Sequence, residues 1–433
     1  MLYIMCEKII NIMKQSIVPA TGCTEPIAVA YAAAKSREVL GTLPTTIIAN
    51  LSGNIIKNAT GVYIPGTNTT GLKAAIALGL VCGDPGKKLG ILEEVKLEDV
   101  NNMEQYIAEH PIMITQAKNT NTKLFIEIIA YSSNHSVSVT IEKTHTNITR
   151  ITKDGILLEP DHNPIETNIG AKDKKNDIAS LNLQAIYNFS KGTPLNNLEF
   201  ILTGADMNKN AAIHANNYYP DSTLGDSISL DPKEYSTDLE YMISLTTLAI
   251  DARMRGACIP IMSNSGSGDQ GIVSTLPILA FAEKNLLNRE SLIRALTMSQ
   301  LTTIYTKSKF GVLSSVCGLT MASIGTVAGL TFIAGGSFAQ IEYAITNLAA
   351  NITGMICDGA KPGCALKAAS CVFAVYLSFK LAMRGKSISS AEGIIGNNVE
   401  STIDNMIKIA CEGMASVDDV ILDIITNKKS CSA

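Results

Sequence analysis

Val316-Cys-Gly-Leu-Thr-Met-Ala-Ser-Ile-Gly-Thr-Val-Ala-Gly-Leu-Thr-Phe-Ile-Ala-Gly-Gly336 is a run of 21 residues without a charge. Its length meets the requirement for a membrane-spanning helix. Its content argues otherwise: five Gly and five Ser, Thr or Cys interrupt it, and no Trp or Tyr belt flanks it. A helix of this kind, apolar on every face and rich in small residues, belongs at the centre of a helical core, where neighbours close in on all sides. That reading sets the fold.

Outward from this run, helical periodicity dominates. Leu239–Gly256, Ile272–Ala282, Arg289–Thr303, Ile341–Ile356 and Gly363–Met383 read as helices, and Ser401–Glu412 as a last amphipathic one. Near the start, Glu7–Ser16 has helical spacing. Thr24 reads as an N-cap, with Glu25 and Pro26 in the first turn of a helix ending at Gly41. Ile47–Leu51 reads as a short strand, and Gly71–Val81 as an Ala-rich helix. The middle changes character. Leu124–Tyr131, Ser136–Lys143 and Asn147–Thr152 are β-branched and partly alternating, with turn signals between them. Gly170–Asp177 reads as a polar loop. The expected architecture is α+β: a mainly helical catalytic domain from residues 1–85 and 186–433, with a buried central apolar helix and an inserted α/β lobe at 86–185.

The chain has 433 residues, 46% of them hydrophobic and 17% charged, which excludes disorder. The formal net charge is −4 and no basic tract is present, so nucleic acid is not an expected partner. The first residues carry Glu7, Lys8 and Lys14 within their apolar pattern, unlike a secretory signal. A cytoplasmic, reducing setting follows, and the ten Cys are expected to be free thiols or metal ligands rather than disulfides.

Three constellations could carry chemistry. Cys23, Cys317 and Cys357 each lie at a loop–helix junction beside Gly, and the positive end of a helix favours thiolate, the metal-binding form. No Cys-x-x-Cys pair exists, so any ligands must be gathered by the fold. Ser265-Gly-Ser-Gly-Asp-Gln270 is a Gly/Ser loop entering a helix, a setting that offers donors to an anion and suits an amino-acid carboxylate. Asn54, Lys57 and Asn58 share one face if their segment is helical, making a candidate carboxylate clamp. The five His show no metal-like spacing and read as surface residues.

Thr21-Gly-Cys-Thr-Glu-Pro-Ile-Ala-Val-Ala30, Ser52-Gly-Asn-Ile-Ile-Lys-Asn58, Ile64-Pro-Gly-Thr67, Ser265-Gly-Ser-Gly-Asp-Gln-Gly271 and Cys357-Asp-Gly-Ala-Lys-Pro-Gly-Cys-Ala-Leu-Lys367 together resemble the L-cysteine desulfidase family, itself related to the alpha chain of iron–sulfur L-serine dehydratases. The resemblance implies an oxygen-sensitive [4Fe–4S] cluster held by Cys23, Cys317 and Cys357, with Cys364 as alternative ligand. Cys431 occupies a C-terminal tail of the kind that caps the free iron in related dehydratases, but its context matches no motif. The implied reaction is β-elimination of L-cysteine to pyruvate, ammonia and hydrogen sulfide. Lys57 would be the base or, preferably, the carboxylate clamp. Asn54, Asn58, Ser265, Gly266, Ser267, Gly268, Asp269 and Gln270 would bind the substrate. An L-serine dehydratase and a non-catalytic amino-acid-binding protein are the alternatives. The expected partner is a small amino acid, without nucleic acid or membrane, and the chain is expected to form a homo-oligomer.

Overall fold

The computed structural model describes residues 2–118, 120, 122–158, 178, 181–218, 221–222, 225–226, 231–311 and 315–427. The expected loop at 170–177 and Cys431 lie outside them. The α+β architecture is as expected: helices predominate beside one six-stranded mixed sheet.

The uncharged run forms the helix Gly318–Ile333, whose residues are buried except Gly318 and Phe332. Helices Arg289–Phe310, Phe338–Ile352 and Cys364–Met383 surround it, with the short helices Gly268–Val273 and Leu276–Lys284 closing the remaining side. Small residues make this possible. A Cβ at Gly325 would stand 2.1 Å from Thr303 Oγ1 and 2.3 Å from the Ser299 carbonyl, so the two helix backbones meet there. Three hydroxyls of the helix return to carbonyls one turn back, Ser323 to Leu319, Thr326 to Ala322 and Thr331 to Val327, so their burial leaves them satisfied; Thr320 Oγ1 is buried without a partner among the described residues. Cys364–Met383 is the one described helix long and apolar enough to cross a membrane, and half of its apolar window is buried inside the fold.

The sheet runs, in spatial order, Ile112–Gln116, Thr46–Leu51, Phe125–Tyr131, Ser136–Glu142, Ile148–Lys153 and Ile156–Leu158. Only the first pair is parallel. Register aligns its buried residues in rows. Ala49 faces Ile128, which faces Val139; Leu51 faces Ile126, which faces Ile141. These rows are fully buried, and the helix Thr24–Leu40 packs across them. The opposite face is polar, where Asn50 and Ser138 both donate to Glu127.

This pairing corrects the expected lobe boundary. One apolar core takes residues from Ile27 to Ile151 together with Leu422; the other takes Ile9–Ile17 and Leu181–Ala410. Residues 24–85 therefore belong to the sheet lobe, because the strand Thr46–Leu51 lies between Ile112–Gln116 and Phe125–Tyr131 in the sheet and the helix Thr24–Leu40 covers it. Four helices not named in the sequence analysis, Leu97–Glu109, Leu183–Gly192, Phe200–Tyr218 and Val417–Thr426, complete the fold.

Gly325→Ala is expected to lower unfolding stability by about 2 kcal/mol, the usual size of an overpacking effect. Gly354→Ala, where an added Cβ meets no atom within 4 Å, should leave it nearly unchanged. Chemical denaturation midpoints of the two variants check this.

Candidate functional site

Two backbone pairings bring distant loops together. The strand Pro19–Thr21 pairs antiparallel with Pro260–Met262, and Ser265 donates its N–H to the Ser16 carbonyl (2.8 Å). This sets Cys23 beside the Gly/Ser loop. A single antiparallel bridge joins Val316 to Ile356: the Cys317 N–H donates to the Met355 carbonyl and the Cys357 N–H to the Ser315 carbonyl, both at 2.8 Å. This sets Cys317 beside Cys357, and their thiols are hydrogen-bonded.

Both junctions open onto one cavity of about 350 Å³, and Cys23, Cys317, Cys357 and Cys364 all line it. Cys23, rather than Thr24, is the N-cap of its helix; Cys317 is the N-cap of the central helix, and Cys364 is the first residue of Cys364–Met383. Three long helices thus aim their N-terminal ends at the same space, a field that favours negative charge. The Cys357 loop approaches closely from the side, since a Cβ at Gly359 (φ +98°) would stand 2.4 Å from the Lys57 carbonyl.

The polar lining comes from both lobes. Glu25 accepts from Cys23 (3.1 Å), Thr24 (3.1 Å) and Asn58 (3.0 Å). Burial pushes its carboxyl up, but His145 and these hydrogen bonds outweigh it and hold Glu25 below the ordinary value. Arg253 is buried; it pairs with Asp269 (2.8 Å) and donates to the Gly22 carbonyl (3.2 Å), tying the Cys23 loop to the Gly/Ser loop. Burial pulls Lys307 down to about 8, against the charges of Cys357 and Glu25. Four side chains of the lining hold a buried polar atom without a partner among the described residues: Asn58 Oδ1, His145 Nε2, Arg253 Nε and Gln270 Oε1. Leaving such an atom unsatisfied costs roughly 1–3 kcal/mol. Four around one cavity mark a place whose partners lie outside the described residues.

The thiols differ. The Cys317 hydrogen bond, opposed by burial and helped by the Lys57 charge, draws Cys357 down to about 6. The same bond, together with burial, pushes Cys317 well up. Burial first, and Glu25 second, push Cys23 well up, against the helix end expected to favour its thiolate. Burial takes Cys364 up to about 12. Among the described residues no three His, Cys, Asp or Glu side chains close round one point as a single metal ion requires. The donor set suits a larger group: up to four thiols spread round a cavity wide enough for a compact cluster, with cationic side chains to balance its charge.

The Asn54, Lys57 and Asn58 face divides. Asn58 lines the cavity; Asn54 and Lys57 do not. Lys57 is buried, pairs with Asp418 at 2.6 Å and donates to the Cys357 carbonyl at 3.0 Å, while Asn54 donates to the other Asp418 oxygen at 2.9 Å. The C-terminal helix that supplies Asp418 carried no signal in the sequence reading, so the expected clamp is instead a strut beneath the Cys357 loop. In the Gly/Ser loop, Ser265, Gly266, Ser267, Asp269 and Gln270 line the cavity. Gly268 lies against Arg253 and Ile261. The hydroxyls of this loop are engaged internally: Ser267 caps the Gln270 N–H and Ser265 donates to Asn264. Arg253, Lys307, Glu25 and His145 were missed. For Arg253 a signal existed: with Asp251 it places charge inside the otherwise apolar Leu248–Met254 stretch. For His145 and Lys307 none did.

Asp418→Asn leaves Lys57 buried without its counter-charge, and a loss of about 3 kcal/mol is expected. Lys57 holds the Asp418 carboxyl below the ordinary value against burial. A depressed carboxyl contributes stability above its unfolded pKa of about 3.9, and that contribution is lost as pH falls through the lower folded value. Urea titrations at pH 7 and pH 3 should therefore show a larger acid-side loss in the wild type than in the variant.

The serine dehydratase alpha chain family model matches residues 88–423, which include His145, the Gly/Ser loop, Lys307, Cys317, Cys357 and Cys364. Over nearly full length the chain is similar to UPF0597 proteins. One from Phocaeicola vulgatus is 42% identical over 427 residues, covering 98% of each chain. One from Bacteroides thetaiotaomicron is 40% identical over 439 residues, covering 98% of this chain and 99% of that one. One from Caldanaerobacter subterraneus is 38% identical over 424 residues, covering 97% and 98%. Residues from both lobes, gathered at one thiol-lined cavity, thus lie in a chain that belongs to the serine dehydratase alpha chain family.

Proposed function

We propose that this chain is a [4Fe–4S]-dependent carbon–sulfur lyase that converts L-cysteine to pyruvate, ammonia and hydrogen sulfide. The observation that carries the reading is the cavity itself, where four thiols, Arg253 and Lys307 meet four polar atoms that no described residue satisfies. Cys23, Cys317 and Cys357 would hold the cluster, with Cys364 as the alternative ligand on the same wall. When bound, the cluster supplies a Lewis-acidic iron that makes the β-sulfur a better leaving group. The protein's own groups bind and orient the amino acid. Arg253 and the Gly/Ser loop face the cavity and suit a carboxylate, and the Asn58 and Gln270 carbonyl oxygens suit an ammonium group. Lys57 acts at one remove, supporting the Cys357 loop through its carbonyl.

The family match favours a second reading on the same architecture, an L-serine dehydratase in which a β-hydroxyl leaves. In either case the partner is a small amino acid, without nucleic acid or membrane. The nine described cysteines are all free, in keeping with a reducing cytoplasm, and a homo-oligomer is the proposed assembly.

Anaerobic reconstitution tests the reading. Cys23→Ser, Cys317→Ser and Cys357→Ser should each lose iron and the brown chromophore, while Cys6→Ser, Cys82→Ser and Cys258→Ser keep both. Full iron in any of the first three removes that residue from the ligand set. Loaded wild-type protein should release sulfide and pyruvate in equal amounts from L-cysteine. Pyruvate from L-serine alone would make it a dehydratase, and failure to take up iron would leave the amino-acid-binding alternative.

A further inference from the structure

Building on the β-elimination reading above, we propose that His145 is the base that takes the α-proton of the amino acid, delivered into the thiol-lined cavity by a hairpin of the other lobe. The strands Ser136–Glu142 and Ile148–Lys153 belong to the sheet, yet Lys143, Thr144 and His145 at their turn line the same cavity as Cys317 and Cys357 of the helical lobe. The turn is tied down. The Lys143 N–H donates to the Leu124 carbonyl (3.2 Å), the Thr144 N–H to the Glu142 carbonyl (2.8 Å), and the Asn147 side chain to the same Glu142 carbonyl (3.0 Å). Lys143 holds φ +69° to make the bend. A hairpin fixed in this way positions an imidazole to within the tolerance that proton transfer needs.

The Nε2 atom of His145 is buried and has no partner among the described residues, so the ring keeps one nitrogen for a ligand. Burial pulls the ring below its ordinary value against the charge of Glu25, which leaves it neutral and able to accept a proton. Glu25 then stands close enough to stabilise the imidazolium that forms. The other groups are committed. Both Glu25 oxygens accept hydrogen bonds, Lys57 is ion-paired away from the cavity, and Lys307, near 8, is mostly protonated at neutral pH.

The step balances without a co-reactant beyond water. His145 Nε2 takes the proton from Cα, the Cα–H electron pair forms the Cα=Cβ bond, and the Cβ–S bond breaks with its pair leaving on sulfur. The aminoacrylate tautomerises to the imine, which water hydrolyses to pyruvate and ammonia. The imidazolium returns its proton to the departing sulfide or to solvent.

The test follows exchange of the α-proton with deuterated solvent, for both L-cysteine and L-serine, on iron-loaded protein. His145→Gln should lose exchange and lower kcat by about 10²–10⁴, with iron content and visible absorbance unchanged. Added imidazole should restore part of both in His145→Ala, an effect that a merely structural histidine does not give. Exchange within tenfold of wild type in His145→Gln overturns the assignment, as does loss of iron from both variants. Wild-type exchange without sulfide release would end the desulfidase reading and leave the base assignment standing. Absence of wild-type exchange on both amino acids would overturn both.

Discussion

The site depends on one constraint: a helix that ends inside the protein must be free of charge and narrow enough for its neighbours to touch it. Gly318–Ile333 satisfies both. Its neighbours pack against its backbone at Gly325 and Gly329, and the hydroxyls of Ser323, Thr326 and Thr331 are satisfied one turn back. Its N-terminal end therefore opens onto an interior cavity, with Cys317 as the residue at its tip. The bridge to Ile356 then positions Cys357, and the packing of Cys364–Met383 against the central helix adds Cys364.

A cavity built this way is electrically demanding. Helix ends, Arg253 and Lys307 supply positive potential, and buried thiols can be ionised only at a cost. Burial pushes the Cys23 and Cys364 thiols up, and the hydrogen bond to Cys357 together with burial pushes Cys317 up, while Cys357, supported by that hydrogen bond and by Lys57, is drawn down to about 6. The Lys57–Asp418 pair explains why the C-terminal helix matters to a site it does not enter. By holding Lys57 it fixes a donor under the Cys357 carbonyl, so the Cys357 loop rests on an ion pair shielded from water. The division between lobes has a similar logic. The helical lobe supplies three of the thiols, and the sheet lobe supplies Cys23, Glu25, Asn58 and the His145 hairpin, so the cavity is complete only where the lobes meet.

Local chemistry determined much of this on its own. The central helix was legible because a 21-residue run without charge has few places to go, and its Gly and Thr content ruled for a protein interior. Cys23, Cys317 and Cys357 stood out because each was read at a loop–helix junction beside Gly; Cys23 and Cys317 are helix N-caps, while Cys357 lies in the loop after the Val316–Ile356 bridge and it is Cys364 that opens the next helix. The alternating strands between 124 and 153 were legible by their period of two, which the register of the sheet then buries on one face. Tertiary structure alone decided the rest. Residues 24–85 join the sheet lobe because strand pairing is a long-range hydrogen-bond choice that Thr46–Leu51 does not announce. Asn54, Lys57 and Asn58 share a helix, but which of them faces the cavity depends on Asp418, more than 350 positions away. His145 reads as an ordinary turn residue until the hairpin carrying it is laid against another lobe. Spacing along a chain encodes which side chains share a face; what that face meets is set by packing between segments far apart in sequence.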